Sequence, residues 1–155
     1  MSSDTPRQLI AANRRARHLS DITERLEAGI ELRGTEVKSC RASKVTLADA
    51  YVQVMSGEAF LMNAHIAEYG HGNRFNHEPT RTRRLLLHAR QIADLDEQLR
   101  REGMTAVPLE VYFSNGRVKV EIGIGRGRGH KDRRDHIKTR EAEREIARVM
   151  RRTRS

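Results

Sequence analysis

Apolar and polar residues alternate through long stretches of this chain, and a period of two predicts strands with one buried face. Thr105, Val107, Leu109, Val111 and Phe113 alternate, Ser114-Asn115-Gly116-Arg117 turns the chain, and Val118, Val120, Ile122 and Ile124 alternate back. Asn-Gly between two such runs marks a hairpin, because both residues tolerate positive φ. Pro108 has no N–H to give, so its strand needs an edge or a bulge there. Tyr51, Gln53 and Met55 oppose Val52 and Val54, and Phe60, Met62, Ala64 and Ile66 share one face. With Ser56-Gly57 between them, Leu47 to Met55 and Ala59 to Ile66 form a second predicted hairpin. Ala28, Ile30 and Leu32 oppose Glu27, Glu31 and Arg33, which predicts a strand over Leu19 to Leu32. Leu19, Ile22 and Leu26 also fit one helical face.

The interruptions are as informative. Gly34 ends the first alternating stretch. Thr35 is a suitable N-cap, and Glu36 puts negative charge in the first turn of a short helix whose apolar edge is Val37 and Cys40. Lys38, Arg41 and Lys44 project from this plug or just beyond it, and we expect the plug to close a small barrel. Ala67 to Arg84 has no period and predicts a long functional or disordered loop. Leu85-Leu86-Leu87 reads as a short buried segment. Ile92, Leu95 and Leu99 predict a helix over Ala89 to Glu102, capped by Gly103. Gly123, Gly125, Gly127 and Gly129 are expected to end the ordered region. A basic segment follows, in which Ala142, Ile146, Val149 and Met150 share one weak helical face. An isolated helix of that length is marginal in water. The tail is therefore expected to be disordered alone and helical against a partner.

At 155 residues the chain predicts one modest core: a flexible start over residues 1–8, a barrel over 9–125 and a tail over 126–155. The fold class is mainly β with flanking helices, an OB-like antiparallel barrel plus the basic tail. Net charge is +9, and its distribution locates the excess. Residues 126–155 hold 12 Lys or Arg against 5 Asp or Glu, leaving 18 against 16 elsewhere. That pattern points to a polyanion, and nucleic acid first. One cysteine, no signal-like start and no apolar run of spanning length predict a cytoplasmic protein with no membrane partner.

Catalytic and metal patterns are missing. There is no Gly-x-Ser-x-Gly elbow, no P-loop, and no second cysteine for Cys40. We expect no catalytic residue, no metal and no cofactor. Three basic clusters remain: Asn13, Arg14, Arg17 and His18; Lys38, Arg41 and Lys44; and Arg81 to Arg84. If they converge on one barrel face they suit RNA. Only 4% of residues are aromatic, too few for extensive base stacking. Recognition of a folded RNA by backbone and shape is then expected.

The blocks Asn13-Arg14-Arg15-Ala16-Arg17-His18, Glu27-Ala28-Gly29, Gly34-Thr35-Glu36-Val37-Lys38-Ser39, Gly72-Asn73-Arg74-Phe75-Asn76-His77-Glu78-Pro79 and Arg83-Arg84-Leu85-Leu86-Leu87-His88 occur in order along the chain. In identity and spacing they resemble the SsrA-binding protein family, also called small protein B, over roughly Leu9 to Met150. The resemblance implies a bacterial, monomeric, non-enzymatic protein. Such proteins bind the tRNA-like domain of transfer-messenger RNA and deliver it to ribosomes stalled without a stop codon. RNA contacts carried over by the resemblance are His18, Glu27, Leu86, His88 and Lys119. The tail, with Gly127, Arg128, His130, Lys131, Asp132, Arg133, Arg134, Lys138, Arg140, Ile146 and Met150, is implied to meet small-subunit RNA near the decoding centre and in the empty messenger channel. Arg133 stands where the family has Lys, Lys131 where His or an aromatic is common, and Ser43 where Gly is common. A general OB-type RNA binder or RNA chaperone, and an RNA-modifying enzyme, are the alternative readings.

Overall fold

The computed structural model describes residues 7–14, 19–70, 76–127 and 144–150. Among the described residues nine strands and two helices follow in chain order: β1 (Gln8–Ala12), β2 (Leu19–Ile30), α1 (Gly34–Arg41), β3 (Val45–Thr46), β4 (Tyr51–Met55), β5 (Glu58–Met62), β6 (His65–Ile66), β7 (Arg83–Leu86), α2 (Ala89–Leu99), β8 (Met104–Ser114) and β9 (Arg117–Gly127). A third helical segment, α3, covers residues 144–150. Seven strands form one antiparallel sheet in the order β1-β8-β9-β2-β7-β5-β4, and β3 pairs with β6 separately. The architecture is the expected OB-like one, but hydrogen bonds do not close the barrel. β8 already pairs with β1 and β9 on its two edges, so β4 packs against β8 without a ladder.

Both predicted hairpins are present. Asn115 and Gly116 have φ of 54° and 75°, and Ser56 and Gly57 have 52° and 77°, the left-handed pair that a two-residue connection needs. Pro108 sits at a bulge, with a register shift between Pro108 and Glu110. Asn13 serves that bulge: its N–H donates to the Leu109 carbonyl, and its Nδ2 makes a buried bond to the Pro108 carbonyl. The core is the inward face of the sheet, where Ala28, Val52, Leu61, Leu85, Val120, Ile122 and Ile124 meet Leu95 of α2.

Several expectations are corrected. The strand expected to run from Ala59 to Ile66 breaks at Asn63, whose φ is 58°, and the short strand β6 after it pairs with β3 instead. The glycines after Ile122 do not end the order: β9 continues to Gly127, opposite Leu19, and the Gly127 N–H donates to the Gly103 carbonyl just before β8. Gly123 is a packing position, since a Cβ there would lie 2.8 Å from Leu109 Cδ1. Leu86 is 54% exposed, because β7 alternates and turns it away from the core that holds Leu85. The tail is not wholly unpacked. Ile146 is fully buried against Phe60 and Met62, with Tyr51, Met55, Val149 and Met150 around it. Strands β4 and β5 carry apolar residues on both faces. Their outer face therefore needs a cover, and α3 supplies it.

Candidate RNA interface

The outer face of the sheet is built row by row. Gly29 pairs with Leu86 on one side and Lys119 on the other, and Lys119 pairs with Tyr112, which pairs with Leu9. Directly opposed residues share a face, so these five positions form one row across five strands. Glu27 and Glu121 form a parallel row two residues away. Gly29 has no side chain to stand between its neighbours. A Cβ there would meet Leu86 Cβ at 3.3 Å, so the glycine lets Leu86 lie across β2.

The part of these rows nearest β7, with Glu27, Gly29, Leu86 and Lys119, lines an open groove of ≈ 630 Å³, whose walls also include Gly57, Glu58, Arg84, His88 and Gln91. Four of the sequence-expected contacts, Glu27, Leu86, His88 and Lys119, therefore converge although they lie on different elements. His88 is the N-cap of α2, and its N–H donates to Gln91 Oε1 at 3.0 Å. The positive end of the α2 dipole favours an anion at this mouth of the groove. Lys119 has no ion-pair partner among the described residues. Glu27 accepts from the Tyr112 hydroxyl and, at 3.4 Å, from Arg7 Nη2.

Arg84, the last residue of the third basic cluster, belongs to the groove, although the resemblance did not carry it over as an RNA contact. It pairs with Glu58 at 3.1 Å, and its Nε has no hydrogen-bond partner. The signal was available in strand parity. Arg84 shares an outward face with Leu86, while Arg83 shares the inward face with Leu85.

The remaining expected residues sit elsewhere. Lys38, Arg41 and Lys44 are exposed on and after α1, and none lines the groove. Lys38 Nζ lies 5.2 Å from the centre of the Tyr69 ring. Arg14 is exposed beyond β1, whereas Asn13 is turned into the bulge and has a structural role. The basic cluster at Arg81 to Arg84 is not a free cationic patch. Arg81 and Arg83 bind Glu36 at 2.6 and 2.5 Å, and Arg84 binds Glu58. Gly127 is exposed at the end of β9, and Ile146 and Met150 belong to the α3 contact. Arg17 and His18, and Arg128, His130, Lys131, Asp132, Arg133, Arg134, Lys138 and Arg140, lie outside the described residues.

Many of the motif residues turn out to form one buried polar network. Thr35 does not cap α1; Arg33 holds the N-cap position, and its N–H donates to Glu36 Oε1 at 2.7 Å. The Thr35 hydroxyl instead meets His77 Nδ1 at 2.9 Å, and His77 Nε2 meets the Ile66 carbonyl at 2.8 Å. Arg83 also donates to the carbonyls of Ala64 and Pro79. Burial pushes the Glu36 carboxyl up. The Arg81 hydrogen bond, the Arg83 charge and the Arg33 N–H outweigh it, so the group is held below its ordinary value. Burial pushes the nearby Cys40 thiol up to about 11, which leaves it protonated and unreactive at neutral pH. Among the described residues no group of three His, Cys, Asp or Glu side chains is placed to hold a metal ion. Among them, too, no helix is long and apolar enough to cross a membrane.

Fold and groove together define a small OB-like module with an open groove of mixed charge on its outer sheet face. The chain belongs to the SmpB protein family, whose model matches residues 10–152. It is 48% identical to the SsrA-binding protein of Shouchella clausii over 150 residues, covering 97% of this chain and 96% of the relative. The SsrA-binding protein of Levilactobacillus brevis is 49% identical over 149 residues, covering 96% and 95%. A solved structure described as "tmRNA-SmpB: a journey to the center of the bacterial ribosome" superposes with a TM-score of 0.66 at 44% identity, covering 79% of this chain and 88% of that one.

Proposed function

We propose that this chain binds the tRNA-like domain of transfer-messenger RNA and delivers it to ribosomes stalled on messages that lack a stop codon. It acts in the cytoplasm as a non-enzymatic adaptor. The observation that carries the reading is the convergence of Glu27, Leu86, His88 and Lys119 on one groove. Each offers a different contact. The Lys119 ammonium meets phosphate. Leu86 gives an exposed apolar surface for a ribose or base face. Glu27 accepts from an amino or hydroxyl group, and His88 stands at the positive end of α2. The relatives that carry the name SsrA-binding protein, and the likeness to a protein solved in the context of the ribosome, support the same reading.

The division of labour follows the charge. The expected boundary at 125 moves to the end of β9: residues 9–127 form the RNA-binding module, and the basic residues beyond it form the segment that probes the empty messenger channel. The test is a binding titration of the full chain against an RNA transcript of the tRNA-like domain and an unrelated folded RNA of equal length. Strong preference for the first is expected. Equal affinity for both would favour a general RNA binder and overturn the adaptor reading.

A further inference from the structure

Glu27 projects from the middle of a sheet face, where a long carboxylate side chain has freedom to move. Two groups remove that freedom. The Tyr112 hydroxyl reaches across β9 and donates to Glu27 Oε2. Arg7 Nη2 approaches the same oxygen at 3.4 Å, while Arg7 Nη1 lies 3.9 Å from Glu121. Arg7 also stacks over the Tyr112 ring, its guanidinium carbon 4.5 Å from the ring centre. Leu9 is the register partner of Tyr112 on the same face. Tyr112 is therefore only 1% exposed, although it stands on the outer face of the sheet. Among the described residues Glu27 Oε1 takes no hydrogen bond.

We propose that Tyr112 is a positioning residue of the RNA site: with Arg7 it holds Glu27 by Oε2 and leaves Oε1 as a fixed, single acceptor for an amino or hydroxyl donor of the RNA. The inference rests on the groove being the RNA site. Two physical consequences support it. First, a carboxylate beside an RNA backbone repels phosphate, and Glu27 stands directly across from Glu121. Arg7 on Glu27 and Glu121, with Arg25 on Glu121 at 3.3 Å, offsets that repulsion without occupying the free oxygen. Second, burial, then the bond to Glu27 and its charge, push the Tyr112 hydroxyl above its usual range, so it stays a donor at any working pH. Holding the acceptor in place before binding removes an ordering cost that a free glutamate would incur on complex formation.

The test is a double-mutant cycle in the full chain, with an RNA transcript of the tRNA-like domain as probe. Tyr112→Phe keeps the ring and removes only the hydroxyl. It is expected to weaken binding about fivefold to tenfold, within the net range of one ordinary hydrogen bond. Its thermal midpoint is expected to stay within the range of the Glu27→Ala variant. In the Glu27→Ala background, Tyr112→Phe is expected to change affinity less than about twofold, because no carboxylate remains to be held. Replacing ribose 2′-OH groups singly by hydrogen then identifies the donor: one deoxy position that costs affinity in the wild type and not in Glu27→Ala marks a hydroxyl. No such position marks a base amino group. Equal losses from Tyr112→Phe in both backgrounds, or wild-type binding by Tyr112→Phe while Glu27→Ala binds weakly, would overturn the positioning role alone. Wild-type binding by Glu27→Ala itself would overturn the groove as the RNA site and this role with it.

Discussion

Glu36 and Arg83 form an ion pair of 2.5 Å with both side chains wholly withdrawn from solvent. Arg81 adds a second cation at the other carboxylate oxygen, 2.6 Å away. The arrangement ties three separate segments together: the start of α1, the carbonyl groups of Ala64 and Pro79, and the first residue of β7. Because β7 also carries Leu86 and leads into His88, the pair sets where one wall of the groove stands.

Removing one member of a buried pair leaves the other uncompensated, at a cost of about 3–5 kcal/mol. Glu36→Gln is expected to lose stability on that scale in urea denaturation at neutral pH. The pH dependence follows from the direction of the shift. A carboxyl whose folded pKa lies below its unfolded one contributes stability that is complete above the unfolded value and lost as pH falls through the folded one. Wild-type stability is therefore expected to decline as pH falls below the ordinary value of 4.5, and Glu36→Gln to show a shallower decline in that window. Parallel pH profiles for the two proteins would refute the assignment.

Lys119 and Glu97 offer a comparison between a groove charge and a remote one. Lys119 lines the groove, whereas Glu97 lines a separate cleft beyond α2 and pairs with Arg101 at 3.7 Å. Lys119→Ala is expected to weaken RNA binding about tenfold, roughly 1.4 kcal/mol. It should also lower the log–log salt slope by roughly 0.7 to 0.9, the share of one phosphate. Glu97→Ala should leave both unchanged. Titrations at several salt concentrations decide it, and indistinguishable variants would move the interface elsewhere.

Exposure makes Leu86 a cleaner probe still. A leucine that is 54% accessible contributes little to the core. Leu86→Ala is expected to change unfolding free energy by no more than about 0.5 kcal/mol, as for an ordinary surface substitution. If the groove is the RNA site, the same change weakens RNA binding several-fold. A variant that loses stability and keeps RNA affinity would mark Leu86 as structural instead.

The hairpins around Asn115-Gly116 and Ser56-Gly57, the bulge at Pro108 and helix α2 were legible because each rests on local chemistry: positive φ, a missing N–H, or helical spacing. What was not legible depends on distance. Nothing near Glu36 in the sequence announces that Arg81 and Arg83 neutralise it, so a first-turn acid and a basic cluster looked like two surface features. Leu86 looked buried because three leucines in a row hide the alternation that a short strand imposes. The cover over Phe60 and Met62 was half-written: a hairpin apolar on both faces demands a second layer, and Ile146, Val149 and Met150 were the apolar set without a place.

That contact yields its own prediction. Ile146 is fully buried in a small cluster away from the main core, so replacing it should free α3 rather than unfold the sheet. Ile146→Asp is expected to cost about 1.5–3 kcal/mol locally, the transfer value of one buried Ile side chain. Hydrogen exchange should accelerate in residues 144–150, while the amides of β8 and β9 keep their protection. Unchanged exchange in α3 would show that the contact is not holding it.

The tail and the groove should separate by function. All four converging groove residues precede Gly127, so truncation after Gly127 is expected to leave RNA affinity within about threefold, roughly 0.7 kcal/mol. The same truncation uncovers Phe60 and Met62, and the shortened protein should bind an apolar dye that the full chain does not. It should also fail to support tagging of stalled products, because it lacks the basic segment proposed to enter the messenger channel. Asp132, Arg133 and Arg134 sharpen the point, since they lie between the end of β9 and α3. Changing all three to Ala leaves both the groove and the α3 contact residues intact. That triple variant is expected to bind RNA as the full chain does, to exclude the dye, and to lose tagging on ribosomes with no message downstream. Loss of RNA binding together with tagging would place these residues in the RNA interface, and normal tagging would remove them from the ribosomal step altogether.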